Sequence, residues 1–260
     1  MSLSKRFVVW SFLVCGLAAS ACQSSEKANE TAEKKGKIEL ARQFVEGSDN
    51  DKAVAILQDL VRAYPNDAEI HYLYGLALLG MRNIQAAHDR FEKVVSLNGD
   101  MDDARLSLAY AKIALRRNEG ARAELRKILD RGEYMFMERV YVNLGLVDMQ
   151  QGRCEQALAN FQSAVDLDPT LATAYFNQGK CLLKLRRSKP ALEALDKAVR
   201  FCPGCAEPRL EWARALVSLG RGKEAAAALQ ELLTREDAEG THARARALLR
   251  SMGQTKNRTR

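Results

Sequence analysis

Apolar residues are distributed along this chain in two ways. From Phe7 to Gly16 they form a run broken only by Ser11, which continues through Leu17, Ala18 and Ala19. The run is too short to cross a membrane as a helix, and Lys5 and Arg6 precede it, which is the layout of a secretory signal over residues 1–21. Ser24 to Gly36 is polar, with alternating Glu and Lys, and predicts a flexible tether over 22–36. Beyond it, apolar and polar positions alternate with helical spacing up to a last amphipathic stretch over 240–253.

The helical part is periodic. Ala53, Ala87 and Ala121 lie 34 residues apart, as do Ala157, Ala191 and Ala225, while Ala121 and Ala157 are separated by 36. Gly75, Gly145 and Gly179 stand twelve residues before their alanines, where Ala41, Ala109 and Ala213 fill the same slot in the other units. Four residues after the alanines come Phe91 and Phe161, with Leu57, Leu125, Leu195 and Leu229 elsewhere, and Pro65, Pro169 and Pro203 close three units. Small residues at the first two positions let the two helices of a unit approach closely. The large residue is expected to pack against the next unit, and proline ends the second helix.

This pattern resembles the tetratricopeptide repeat from residue 34 to about 239. The resemblance implies an all-α, right-handed superhelical solenoid of about six repeats, each a helix A and a helix B, over 37–239. The units are 34–67, 68–101, 102–137, 138–171, 172–205 and 206–239, with a capping helix over 240–253 and a basic tail over 254–260. The fourth unit matches best, through Tyr141, Leu144, Gly145, Ala157, Phe161, Ala164 and Pro169. The third is irregular: it lacks the closing proline and carries the insertion around Gly132-Glu133-Tyr134.

Composition supports helices, with 47% hydrophobic and only 7% aromatic residues. The formal charge of +7 is concentrated at the ends. Of the 40 basic residues, six lie in 241–260 and two are Lys5 and Arg6, which leaves 32 against 33 acids in the body. The net charge therefore points to no nucleic-acid partner; the basic end is a solvated terminus or a weak attraction to anionic head groups.

Ala19-Ser20-Ala21-Cys22 resembles a bacterial lipobox, with Ala19 where the pattern prefers Leu. The resemblance implies lipidation of Cys22; the alternative is an ordinary signal peptide cut after Ala19-Ser20-Ala21. Gln23 follows, not the Asp that retains lipoproteins at the inner membrane, which implies sorting to the periplasmic face of the outer membrane.

No catalytic chemistry stands out. His71, His88 and His242 have no second ligand at metal spacing, and no GxSxG, Walker, GxGxxG or HExxH pattern occurs. Neither an enzyme, a metal nor a cofactor is expected. Cys202-Pro203-Gly204-Cys205 is a CxxC in an inter-repeat turn, which favours a structural disulfide over a redox centre or half a zinc site. Cys154 and Cys181 begin helix B of unit four and approach the end of helix A of unit five, so a bridge between them is favoured over two buried thiols.

Stacked repeats present their A helices on an inner face. Its positions are apolar in several units: Tyr72, Leu76 and Leu79 in the second, Leu106, Tyr110 and Ile113 in the third, Leu146 and Met149 in the fourth. These predict a partner-binding groove for an amphipathic helix or apolar strand, though part of the set could equally be core.

Lipobox, tether and six repeats together resemble the pilotin lipoproteins of type IV pili, as does the stretch Asn143-Leu144-Gly145-Leu146 after an irregular third repeat. The resemblance implies binding of secretin subunits and promotion of their multimerisation at the outer membrane. A periplasmic scaffold for envelope assembly and a regulator of a cell-wall enzyme are the alternatives.

Overall fold

The computed structural model describes residues 29–235 and 239–258, so the expected signal segment, Cys22 and the start of the expected tether lie outside the described residues. Among those described there are thirteen helices and no strand. The A helices are α1 (29–46), α3 (Ala68–Gly80), α5 (Asp102–Ala114), α7 (Met137–Gln150), α9 (Ala172–Lys184) and α11 (Ala206–Ser218). The B helices are α2 (Asn50–Ala63), α4 (Ile84–Leu97), α6 (Asn118–Arg131), α8 (Cys154–Leu167), α10 (Ser188–Phe201) and α12 (Gly222–Leu233), and α13 (Glu239–Arg258) follows. Helix α13 runs past residue 253, where the cap was expected to end. The described residues form two compact units, divided between Ala104 and Arg105.

In the first unit α3 packs against both α2 and α4. Ala53, Ala87, Leu57 and Phe91 are fully buried. A Cβ placed on Gly75 would meet the Phe91 ring at 2.5 Å, so the absence of a side chain is what seats that ring. The large residue thus packs onto the small residue of its own helix A, and it also packs against the next repeat as expected: Leu125 lies in one cluster with Val140 and Leu144, and Phe161 in one with Cys181. Helix α1 corrects an expectation. Residues 29–36 are helical and not a flexible tether. The alternating charges set Glu33 and Lys37 one turn apart, 2.6 Å between charged atoms. Lys34 lies 2.6 Å from Asp67 and over the Tyr64 ring, and the Tyr64 hydroxyl donates to Glu30 at 3.2 Å, so this extension is held against the α2–α3 turn.

In the second unit the same construction recurs. The Phe161 ring occupies the space a side chain at Gly145 would need, and Leu195 does so at Gly179. Truncating a buried ring of this kind to alanine typically costs about 3–5 kcal/mol. The two-residue insertion is shared between turn and helix: the turn from α6 to α7 spans 132–136, and α7 has 14 residues where α9 and α11 have 13. Gly132 takes φ +73° there, a left-handed conformation that suits glycine. Helix α13 packs on α11 and α12, where Leu248, Leu249 and Met252 lie against the buried Leu210, Leu229 and Leu232.

The turns also keep the period. Each A helix hands over to its B helix through one left-handed residue: Ser48, Arg82, Arg116, Gly152, Arg186 and Gly220. Between repeats, polar side chains hold the turn. Asp67 accepts hydrogen bonds from the backbone N–H of Glu69 and Ile70, at 3.0 and 3.2 Å. Asn98 accepts from Asp100 N–H at 3.1 Å, and Asp168 from Thr170 N–H at 2.9 Å. Cys202 stands where Asn98 and Asp168 stand, and Cys205 where Asp67 stands, and a disulfide joins them. The covalent bond closes this turn in place of the side-chain hydrogen bonds. Arg209 and Arg235 donate to the Pro203 carbonyl at 3.3 and 2.9 Å, and Arg235 also to that of Gly204 at 3.0 Å.

Candidate partner-binding face

The eight groove residues divide between the two units. In the first, Tyr72, Leu76 and Leu79 share one face of α3 and are half-buried. The Tyr72 ring packs on Phe91 with centroids 5.9 Å apart, which fixes its base and leaves an edge accessible. Arg42 on α1 pairs with Glu69 and Glu39, so its charge is neutralised locally.

In the second unit the prediction is corrected at two positions. Leu106 and Ile113 are only 9% and 5% exposed and belong to a core cluster with Leu125, Ile128, Val140 and Leu144. Helical periodicity marks which face of α5 is apolar, but not how much of that arc the neighbouring helices cover. Tyr110, on the same helix, is 47% exposed. On α7, Leu146 and Met149 are half-buried, as is Val142 beside them. Helix α9 packs against α7 and α11 and adds Phe176 and Leu183, also half-buried, with Lys180 Nζ 5.0 Å from the Phe176 ring centre. These α9 residues extend the apolar face beyond the eight; their signal was the same repeat register as Tyr72 and Leu79. On α11 the face ends, because Leu210 is fully buried and Arg214 is exposed and paired to Glu211 at 3.3 Å.

Directly beneath Val142, Leu146 and Met149 lie Cys154 and Cys181, in one cluster with Ala157 and Phe161. Both are free, buried thiols, so the bridge expected between them is not made. Repeat coordinates brought the two side chains together correctly, but proximity is not a bond. Burial, and then the Cys154 thiol beside it, push the Cys181 thiol up to about 12. Such a pair packs as small apolar side chains and has little nucleophilic character.

A stack of helical hairpins with half-exposed apolar side chains along its A helices defines a class: repeat modules that bind proteins. Tetratricopeptide-repeat models match residues 38–80, 78–133 and 136–203. The chain is a tetratricopeptide-repeat protein. No curated protein matches the sequence. The fold is shared with 355 chains of known structure, so it identifies an architecture and not a ligand. PilW, described as a widely conserved type IV pilus biogenesis factor, superposes with a TM-score of 0.70 at 17% identity, over 80% of this chain and 97% of its own. PilF of Pseudomonas aeruginosa gives 0.66 at 18% identity, over 82% and 96%. YrrB, a tetratricopeptide-repeat protein with an unusual peptide-binding site, gives 0.50 at 18% identity, over 74% and 96%. At these identities the likeness is one of fold.

Proposed function

We propose that this chain is a lipid-anchored assembly factor of type IV pili, which binds subunits of the outer-membrane secretin and promotes their multimerisation. The observation that supports it is the near end-to-end superposition on two type IV pilus proteins, 97% of PilW and 96% of PilF, in a chain whose first segment ends in a sequence that resembles a lipobox. In this reading Cys22 carries the lipid and holds the repeats at the periplasmic face of the outer membrane. Anchoring both partners to one surface raises their effective concentration. The half-exposed apolar residues of the A helices, Tyr110 and Leu146 among them, take an apolar segment of the secretin, where an anchor residue is worth about 2 kcal/mol or more in binding.

The test is the state of the secretin in cells lacking this protein. Multimers should be lost on deletion, restored by the intact gene, and reduced or misplaced with Cys22→Ser, which removes the lipidated thiol. Tyr110→Ala should lower multimer yield while changing thermal stability by no more than about 0.5 kcal/mol, as for other exposed positions. Undiminished multimers in the deletion strain sink the reading.

A further inference from the structure

On the B-helix side of the second unit lies an open cleft of about 560 Å³ between α6 and α8. Its wall is built around Asp148 at the end of α7, whose side chain is only 4% exposed. One carboxylate oxygen, Oδ1, accepts from two arginines: Arg122 Nη2 at 2.7 Å and Arg153 Nη2 and Nε at 2.8 and 3.0 Å. Oδ2 accepts from Asn160 Nδ2 at 2.8 Å. Gln151 accepts from both guanidinium groups and donates to Glu119 at 2.8 Å. Arg126, one turn after Arg122 on α6, lines the same cleft, is exposed and has no hydrogen bond or ion pair among the described residues.

The charges of this cleft do not balance. Three guanidinium groups face two carboxylates, Asp148 and Glu119, which leaves one positive charge. Two guanidinium groups are held against a single oxygen, a crowding of like charge that a further anion would relieve. Donors are in place for it: among the described residues Arg126 has no acceptor, and neither does Nη1 of Arg122 or of Arg153. The fork of a guanidinium matches the two oxygens of a carboxylate, and the network fixes two of the three forks before any ligand arrives. One excess charge suits a singly charged carboxylate better than a phosphate dianion. The cleft is larger than one carboxylate, and the amides of Gln156 and Asn160 on its wall suit a peptide backbone.

We propose that this cleft binds a peptide carboxylate of a protein partner, with Arg126 as the ligand-seeking group and the Arg122–Asp148–Arg153 network as its rigid support. This site is separate from the apolar face of the A helices and does not depend on the pilus reading.

The full-length protein, arginine-labelled and held in a non-ionic detergent, is titrated with the blocked peptide Ac-Ala-Ala-Glu-Ala-Ala-NH2 while the arginine side-chain resonances are followed by NMR. Saturable shifts at Arg126 and Arg122 are expected, about 10-fold weaker with the Gln counterpart of the peptide, because a charge-assisted hydrogen bond is lost. A blocked peptide is compared with one bearing a free C-terminal carboxylate and no Glu, which tells a side-chain acid from a chain end. Arg126→Gln should weaken binding about 10-fold and leave the melting temperature unchanged, since that side chain makes no bond in the fold, and Arg126→Lys should fall between. Equal binding of the Glu and Gln peptides, full binding by Arg126→Gln, or no saturable shift with either carboxylate overturns the proposal. Tighter binding of inorganic phosphate than of either carboxylate overturns it in favour of a phosphate site.

Discussion

Single residues in this chain carry consequences that repeat register alone does not show. Cys154 and Cys181 lie side by side as thiols, and with the Cys181 pKa near 12 the thiolate fraction at pH 8 is on the order of one in 10⁴. Both thiols are also buried, so alkylation of the native protein at that pH should label neither. The denatured, unreduced protein should label both and spare Cys202 and Cys205; no labelling at all would mean that the buried pair had oxidised, and four labelled cysteines that the turn disulfide was open. The left-handed turn residues make a second case. Gly152 and Gly220 adopt this conformation without strain, whereas Arg82, Arg116 and Arg186 hold φ near +59° with a Cβ in place. Arg186 is exposed, so Arg186→Gly removes strain without removing packing. It should raise the urea unfolding free energy by about 0.5–1 kcal/mol, while Gly152→Ala should lower it by about 1 kcal/mol.

Whole elements are joined by buried charge as well as by apolar packing. Glu124 on α6 is buried and receives Arg105 of α5 at 2.7 Å, Lys112 of α5 at 3.2 Å and Lys127 of its own helix at 3.3 Å. Burial pushes its carboxyl up, but the hydrogen bonds from Lys112 and Arg105 and the charge of Lys127 outweigh that, and the pKa lies below the ordinary 4.5. A folded pKa below the unfolded one means that the ionised form favours folding. That contribution is complete above about pH 4.5 and is lost as pH falls through the folded value. Asp67 behaves likewise below its ordinary 3.8, where burial is outweighed by Lys34 and the backbone N–H of Ile70. Melting temperatures measured from pH 7 down to 3 should fall on the acid side for the native protein and fall less steeply for Glu124→Gln, which starts lower at pH 7. An identical acid limb for both would remove Glu124 from the account. The same logic explains why residues 29–36 are helical: pairs such as Glu33–Lys37 and Lys34–Asp67 supply what apolar contacts do not, and charge alternation by itself is compatible with either a tether or a helix.

At the scale of the molecule, a stack of repeats must end without leaving an apolar face to water. In the second unit α13 performs this, with Ala245 fully buried and Leu248, Leu249 and Met252 packed over Leu210 and Leu229. Leu249→Asp would set a charge into that contact and should destabilise the protein by about 2 kcal/mol or more, seen as a lower urea midpoint and increased binding of a hydrophobic dye. A surface substitution such as Arg250→Ser, on an exposed neighbour, should change the midpoint little.

The sequence by itself determined the helices, their pairing and their register. Ala53, Ala87, Ala121, Ala157, Ala191 and Ala225 are all fully buried, and Gly75, Gly145 and Gly179 all seat a large side chain, because only a small residue permits two helices to approach so closely. It also brought Cys154 to Cys181 and closed the turn at Cys202 and Cys205. What only the tertiary structure decided is how far each apolar arc is covered and which polar groups meet. Leu106 and Tyr110 stand four residues apart on α5, yet one is core and the other exposed, since coverage depends on the neighbouring helices and not on the period of the helix itself. Asp148, Arg122, Arg153 and Arg126 come from three separate elements, and no spacing along the chain announces them as a cluster. A repeat pattern encodes contacts that recur in every unit; a site made once, from side chains that differ between units, exists only after the units have stacked.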